Sequence, residues 1–423
     1  MNDTKFGYSK RDRINFINAN IAHATKTRKV EYEGVIQELK VINVPIELPI
    51  YRINNIRTLC AQKEYCETHD DVDYNDFINN PESVKSQIVQ NEILLKMVNQ
   101  QNLFDEFKKQ NEKGQTESLI ITPEAIVVNG NRRLCAWRKL YYENPSKYGQ
   151  YQMIEVAVLP DSNEDKINDL EYRLQIKNDL RADYAWYARA LSYKMDLEKP
   201  GIDIDVIKKK KNIDQAEVLT LIEEYDLAED YLERIGKKNQ WSLVDNELYS
   251  FQQIVKLTKK FIDESKPTIS NVLKDVAFSI VLANYEGSIR EKTGRLYEFI
   301  PQIGNYANEV IEDLKNKVLG DSFKQEREKA PATIADETIV GRLLRNVPAE
   351  KVANTAVHTI NARQDIEKEL KNKRSVLDDM IKARQILGGC VVVMKEDQSK
   401  AGIDEEIKKI EFYIGKLKEW LDE

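Results

Sequence analysis

The sequence predicts an α+β protein: a mixed α/β domain followed by a predominantly α-helical remainder. Two observations predict it. Strand-like runs of β-branched and aliphatic residues fall only between residues 40 and 160, interleaved with helical patterns. From residue 162 onward, apolar residues recur almost entirely at three- and four-residue steps. A length of 423 residues allows two to four domains, each with its own core.

Composition narrows the class. Hydrophobic residues make up 41% and charged residues 32%, the balance of a globular protein with long surface helices. No stretch approaches the ~18 apolar residues of a membrane span. Met1-Asn2-Asp3-Thr4-Lys5 has no apolar signal core, so a soluble, cytoplasmic protein is expected. The four cysteines, Cys60, Cys66, Cys135 and Cys390, form no CxxC pair and no disulfide framework. Three histidines, His23, His69 and His358, leave little for a zinc site or His-based catalysis. A net charge of −7 argues against wholesale coating of nucleic acid but leaves room for a local basic patch.

The elements follow in order. Residues 1–30 carry seven bases against Asp3 and Asp12. Ser9 is placed to cap a helix with Ile14, Ile17 and Ile21 on its apolar face. That helix is either a docked amphipathic element or a basic arm that touches phosphates through Lys10, Arg11 and Arg13. Val41–Val44 and Ile46–Ile50 read as strand, residues 60–80 as polar loop, and Pro81 to about Gln110 as helix. Ser118–Thr122 and Ala125–Asn129, around Pro123-Glu124, read as a β-hairpin. A helix spans about Arg132 to Tyr142, and Ile154–Leu159 is a further strand. Helices then cover 163–178, 184–197, 203–210 and 214–225, the last two at helix–turn–helix spacing, followed by 241–262 and 268–284. Gly320–Thr333 reads as a linker. Residues 349–387 form one helix of about 58 Å, closed by Gly388-Gly389. A last helix repeats Ile403, Ile407, Ile410, Ile414, Leu417 and Trp420; the two suit an antiparallel hairpin or a dimerisation element. The resulting domains are 1–38, a basic helical extension; 39–162, the α/β domain; 163–262, a helical domain; and 263–423, a helical domain ending in the hairpin.

The chemistry concentrates at Ile126-Val127-Val128-Asn129-Gly130-Asn131-Arg132-Arg133. A buried strand ends at Gly130, Asn131 is an N-cap residue, and a helix begins. Arg132 and Arg133 then sit in the first turn, where cations oppose the helix dipole by roughly 0.3–1 kcal/mol each. The arrangement makes sense if a phosphate-like anion rests there, held by backbone donors and two guanidiniums. The alternative is that one arginine pairs with a structural carboxylate.

This segment resembles the GxRRxxA box of the ParB N-terminal domain, in the ParB/sulfiredoxin superfamily. Val44–Ile50 followed by Arg52, Asn54, Asn55 and Arg57 resembles the family's first strand and its Asn/Arg-containing turn. The helix 83–99 with Leu119–Ile121, the strand 154–159, the helix 163–178 with Asn178 and Arg181, and the later helix–turn–helix spacing keep the family's order. The resemblance covers about 40–235. It implies a nucleotide-binding switch acting on DNA or a partner protein, using CTP or ATP with Mg²⁺ and hydrolysing it slowly. Carried over by position, Gly130, Asn131, Arg132 and Arg133 would hold the triphosphate. Arg52, Asn55 and Arg57 would contribute to the pocket, and Asn178 and Arg181 would form its far wall. Two departures stand out. Asn131 occupies the place of the family's Glu, and Gln175–Arg181 lacks the Glu-Asn pair, leaving Glu171 or Asp179 as substitute metal ligands. Sulfiredoxin chemistry would need Cys at position 131; Cys135, one turn further in, reads as a small buried thiol.

The resemblance also implies a bacterial or phage-encoded protein, a homodimer, and DNA contacts. Segment 201–236 carries ten acids against five bases, the wrong sign for a recognition helix. DNA contacts therefore fall to the arm and to Lys208, Lys209 and Lys210. Tyr184, Trp186, Tyr187 and Tyr193 read as core packing rather than base stacking. Two further readings stay open: a non-catalytic interaction protein of a plasmid, phage or defence operon with an operon-encoded partner, and a DNA-processing nuclease. The superfamily's small-molecule kinases make phosphoryl transfer a remote fourth.

Overall fold

The computed structural model describes residues 6, 8–100, 103–109, 115–177, 185–211, 213–286, 296–395 and 399–422. The chain forms two bodies, Met1–Val281 and Leu282–Glu423. No described helix is long and apolar enough to cross a membrane.

The first body is α+β, built on a six-stranded mixed sheet ordered β1-β2-β6-β4-β5-β3. β1 (Lys26–Tyr32) and β2 (Val35–Pro45) pair antiparallel. Glu33 and Gly34 join them at φ 53° and 78°, a left-handed pair that matches the twist of the strands. β3 (Ile50–Tyr51), β4 (Leu119–Ile121), β5 (Ile126–Asn129) and β6 (Met153–Val158) complete it. β2/β6 and β4/β5 are antiparallel, while β4/β6 and β3/β5 are parallel. The hairpin corrects the sequence reading, in which residues 1–38 were a helical extension. Only Val30 and Tyr32 of β1 are buried, too few apolar positions to mark a strand amid lysines and arginines.

Period-two alternation divides the core. Leu119, Ile121, Val127, Val156 and Val158 face one way, against Ile17, Leu94, Leu134, Trp137 and Leu140. Ile120, Val128 and Ala157 face the other, against Ile167 and Leu170. The helices that supply these partners are α1 (Lys10–Ile21), α4 (Val84–Gln100), α6 (Asn131–Glu143) and α7 (Glu164–Lys177). As the sequence predicts, Ser9 caps α1, accepting from the Asp12 N–H.

Residues 60–80 are not loop. They carry α2 (Ile56–Thr68) and α3 (Tyr74–Asn79), capped by Asn55 and Asp73. α2 is anchored by polar contacts rather than by an apolar stripe, so its pattern reads as loop. Thr58 and Gln62 are buried, and Gln62 donates to the Ile53 carbonyl at 2.8 Å and to Gln90 at 2.9 Å. α5 (Leu103–Lys109) follows α4. Gln87 of α4 flanks β3: its Oε1 accepts from the Tyr51 N–H at 2.8 Å and its Nε2 donates to the Tyr51 carbonyl at 2.9 Å.

Beyond the sheet lie α8 (Trp186–Leu197), α9 (Ile204–Lys211), α10 (Gln215–Arg234), α11 (Leu248–Asp263) and α12 (Pro267–Glu286). α10 runs 20 residues, past the short second helix of the expected helix–turn–helix. Trp186, Tyr187 and Tyr193 are buried. Tyr187 stacks on Trp241 at 5.4 Å, and Trp241 on Tyr225 at 4.5 Å. Tyr184 lies outside the described residues.

Glu224 of α10 is only 2% exposed. Burial, helped by the Glu223 carboxylate, pushes its carboxyl up to about 7, against the pull of Lys256, Arg189 and Lys259. A raised acid binds its proton in the folded state while the unfolded chain has released it. This group's contribution to stability is therefore full below the unfolded value near 4.5 and is lost as pH rises to about 7. Glu224→Gln is expected to flatten that part of the pH–stability curve and to gain on the order of 3 kcal/mol relative to wild type at pH 8. Urea unfolding of both proteins between pH 5 and pH 8 checks it; parallel curves would refute it.

The second body holds α13 (Ile300–Ile303), α14 (Ala307–Asp313), a π-helical segment Leu314–Leu319, α15 (Gly320–Lys329), α16 (Asp336–Leu344), α17 (Ala349–Val393) and α18 (Ile403–Asp422). α15 replaces the expected linker. Its one buried anchor is Phe323, too little to set a period, and Arg327 closes its C-terminus on the Ile334 and Pro331 carbonyls. α17 runs through Gly388-Gly389 to Val393, about 68 Å in all. Val352, Ala356 and Ile360 are fully buried. From Ile366 onward its apolar side chains are exposed, and no residue of α18 is buried.

Candidate functional site

The corner singled out by the sequence forms where β3 and β5, a parallel pair, run out toward the starts of α2 and α6. Ligands favour such ends, because helix N-termini converge there. β5 gives way to Gly130 at φ 106°, which is itself the cap of α6 and supplies no side-chain hydrogen bond. Asn131 is thus the first helical residue rather than the expected N-cap. It is 5% exposed, and its side chain works across the sheet instead. Its Oδ1 accepts from the Arg52 N–H at 3.2 Å, and its Nδ2 donates to the Val127 carbonyl at 3.0 Å. This fastens the end of β3 to the end of β5.

A Cβ on Gly130 would lie 2.4 Å from Leu119 Cδ2 and 3.1 Å from Arg133 Nη2. Glycine is required here both for its backbone angle and because the Arg133 guanidinium packs back over it. Arg133 donates to Asn129 Oδ1 at 2.9 Å and to the Glu117 carbonyl at 3.1 Å, and pairs with the Glu117 carboxylate at 2.9 Å. Burial lowers its affinity for the proton, and Glu117 opposes that shift. Arg28 also pairs with Glu117. The alternative of a structural ion pair therefore holds for Arg133. Arg132 occupies the same first turn, half-buried. Glu117 was missed by the sequence reading because it lies before β4, distant in the chain from both arginines.

Arg52 is 3% exposed and fully engaged. It pairs with Glu171, itself 2% exposed, and reaches Glu164 at 2.6 Å and Asn168 at 2.5 Å. Glu164, Asn168 and Glu171 share one face of α7 at steps of four and three, a signal legible in the sequence but not used. Glu171 is thereby occupied by a guanidinium and does not fit the role of a metal ligand. Asp179, Asn178 and Arg181 lie outside the described residues. Among the described residues, no group of three or more His, Cys, Asp or Glu side chains is placed to hold a metal ion.

Arg138, one face further along α6, is fully buried. It donates to the Ile46 carbonyl at 2.9 Å and to the Pro49 carbonyl at 2.5 Å, and its guanidinium lies 4.8 Å from the Tyr51 ring. It fixes the turn into β3 and hence the position of Arg52. Cys135 is buried beside Tyr51 and Asn91, and burial pushes its thiol up to about 12, so it is no nucleophile.

Asn55 accepts from the Arg57 N–H at 2.9 Å, which caps α2 and leaves its Oδ1 engaged. Arg57 borders a cavity of about 590 Å³ that runs along α2 against α4, α8 and residues 242–246, within the range of small-molecule sites. Ala61, Ile93 and Met97 give it an apolar floor. Its walls carry Glu64, which accepts from the Ser242 N–H at 2.9 Å, and a Tyr65–His69 stack at 3.9 Å.

The basic arm is divided. Arg13 is 3% exposed and bound to the Glu124 carbonyl at 2.9 Å, the Tyr8 carbonyl at 3.0 Å and Glu82, which corrects its reading as a phosphate contact. Lys10 and Arg11 are exposed, as are Lys208 and Lys209; Lys210 lies in α9.

No protein-family model matches the chain, and no curated protein matches it in sequence. A structure comparison gives the C-terminally truncated chromosome-partitioning protein ParB from Caulobacter crescentus complexed with CTPγS. That match has 14% identity over 51% of this chain and 91% of that one, with a TM-score of 0.17, and it carries no argument about the site.

Proposed function

We propose that this chain is a ParB-like nucleoside-triphosphate-binding switch protein, with CTP or ATP as its ligand. The observation that carries the reading is the start of α6. A glycine with no side-chain cap opens the helix, and Arg132 stands in a first turn that contains no acid. The phosphates rest at that terminus. Arg52, Asn131 and Arg133 act behind this seat as fixtures of its backbone. Mg²⁺ enters only with the triphosphate. DNA, as a further partner, meets Lys10, Arg11, Lys208 and Lys209.

Calorimetry of the full chain with each nucleotide and Mg²⁺ tests this. Wild type is expected to bind one of them, and Arg132→Ala to weaken binding about 10–100-fold, the loss of one charge-assisted contact. Absence of binding to every nucleotide ends the proposal. The occupation of Glu171 by Arg52 favours a second reading, a non-catalytic interaction protein. Nucleotide binding without turnover, together with a co-purifying partner, would select it.

A further inference from the structure

The cavity along α2 has a wall chemistry that the phosphate seat does not use. Its hydroxyl donors are spent on the protein itself. Tyr65 donates to Glu92 and Tyr187 to Asp245. Thr68 donates to the Glu64 carbonyl at 2.9 Å. Ser242 gives the Glu64 carboxylate its N–H at 2.9 Å and its hydroxyl at 2.5 Å. His69 Nδ1 lies 2.8 Å from the Tyr65 carbonyl. A carbonyl only accepts, so Nδ1 carries the proton, and the neutral ring keeps Nε2 as an acceptor. What the wall offers a ligand is therefore acceptor capacity. An ionised carboxylate has about four lone-pair sites, and the three here come from α2, α4 and the 242–246 segment. Two cations also line the cavity. Arg57 is engaged within the fold. Lys96, 3.9 Å from Glu64, has a side chain 66% exposed, where water and salt screen its charge. Residues 64–82, which include this stretch of α2, carry seven acids and no lysine or arginine, a field that attracts cations to this face. Burial, and after it the neighbouring carboxylates, push the Tyr65 and Tyr187 hydroxyls up.

We propose that this cavity binds a small aliphatic amine with more than one cationic nitrogen, of the diamine or polyamine class. An ammonium group carries three donors and no acceptor, the complement of a wall with acceptors to give. Its bonds to carboxylates are charge-assisted, about twice as strong as neutral ones. Glu64, Glu92 and Asp245 stand on separate elements, which suits several nitrogens spaced along a chain. They do not form a group placed to hold a bare metal ion, so the cation is an extended organic one. Ala61, Ile93 and Met97 supply the apolar floor on which methylenes between the nitrogens pack. The volume of about 590 Å³ accommodates such a molecule, whereas an anion would face three carboxylates.

Calorimetry of the full chain against diaminobutane, spermidine, butanediol and glutarate tests the proposal. Nucleotide is left out, so neither outcome bears on the phosphate seat. Wild type is expected to bind an amine at a single site and neither the diol nor the dicarboxylate. Glu92→Gln and Asp245→Asn, both at exposed residues, are each expected to weaken amine binding about 10–100-fold, the loss of one charge-assisted contact. Asp70→Asn removes a charge from the same acidic stretch but outside the cavity lining, and is expected to leave affinity within about two-fold, because exposed charges are screened. Ala61→Phe keeps every charge and puts a ring into the cavity; it is expected to abolish binding. Circular dichroism checks that each variant is folded, and the two carboxylate variants keep the test decisive if Ala61→Phe is not. No amine binding by wild type, equally tight binding of glutarate or butanediol, a loss in Asp70→Asn equal to that in Glu92→Gln, or binding that survives in folded Ala61→Phe would overturn the proposal.

Discussion

Replacing Arg52 by Met is expected to cost about 3–5 kcal/mol of stability, the loss that follows when one partner of a buried ion pair is removed. Glu171 is 2% exposed. Without the guanidinium its charge stays in the interior, and Glu164 and Asn168 lose their shared donor. Denaturant unfolding measures this directly. Adding Glu171→Gln is expected to recover most of the loss, since the neutral amide needs no counter-charge. A cost below about 1 kcal/mol for Arg52→Met alone would mean that the pair does not hold α7 to the sheet.

Gly130→Ala is the second large effect, about 2–5 kcal/mol destabilising. Left-handed backbone costs an L-residue roughly 1–2 kcal/mol, and forcing a methyl into a packed site adds about 1–3 kcal/mol. Here the methyl meets Leu119 and the Arg133 guanidinium. Gly34→Ala separates the two contributions. Gly34 also has positive φ, 78°, but a Cβ there meets nothing within 4 Å, so only the backbone cost of about 1–2 kcal/mol is expected. Equal losses at the two sites would show that crowding at Gly130 has no part.

The sequence carried the strands whose residues are buried on both faces, such as Leu119–Ile121 and Val156–Val158, because continuous apolar runs mark them. It carried the start of α1, because Ser9 has a cap's chemistry. It missed what polar contacts build. α2 leans on Thr58 and Gln62, and β1 buries two side chains in seven; neither writes a hydrophobic period. It located the Gly130–Arg133 corner and named Arg52, but not the directions of the side chains. A guanidinium that folds back onto Glu117, or a carboxylate on α7 that answers an arginine more than a hundred residues earlier, is fixed by tertiary packing and leaves no local trace.

The Gln87 clamp on Tyr51 has one more consequence. A sheet whose outermost strand shows bare donors and acceptors invites a stranger to add on, the route to fibrils and tangled oligomers. At the β3 border a side-chain amide occupies the Tyr51 backbone groups that an incoming chain would seek. The opposite border, β1, is guarded differently, by the charges of Lys26, Arg28, Lys29 and Glu31. Both rims of the sheet thus carry features that disfavour strand addition, a buried amide on one and charged side chains on the other.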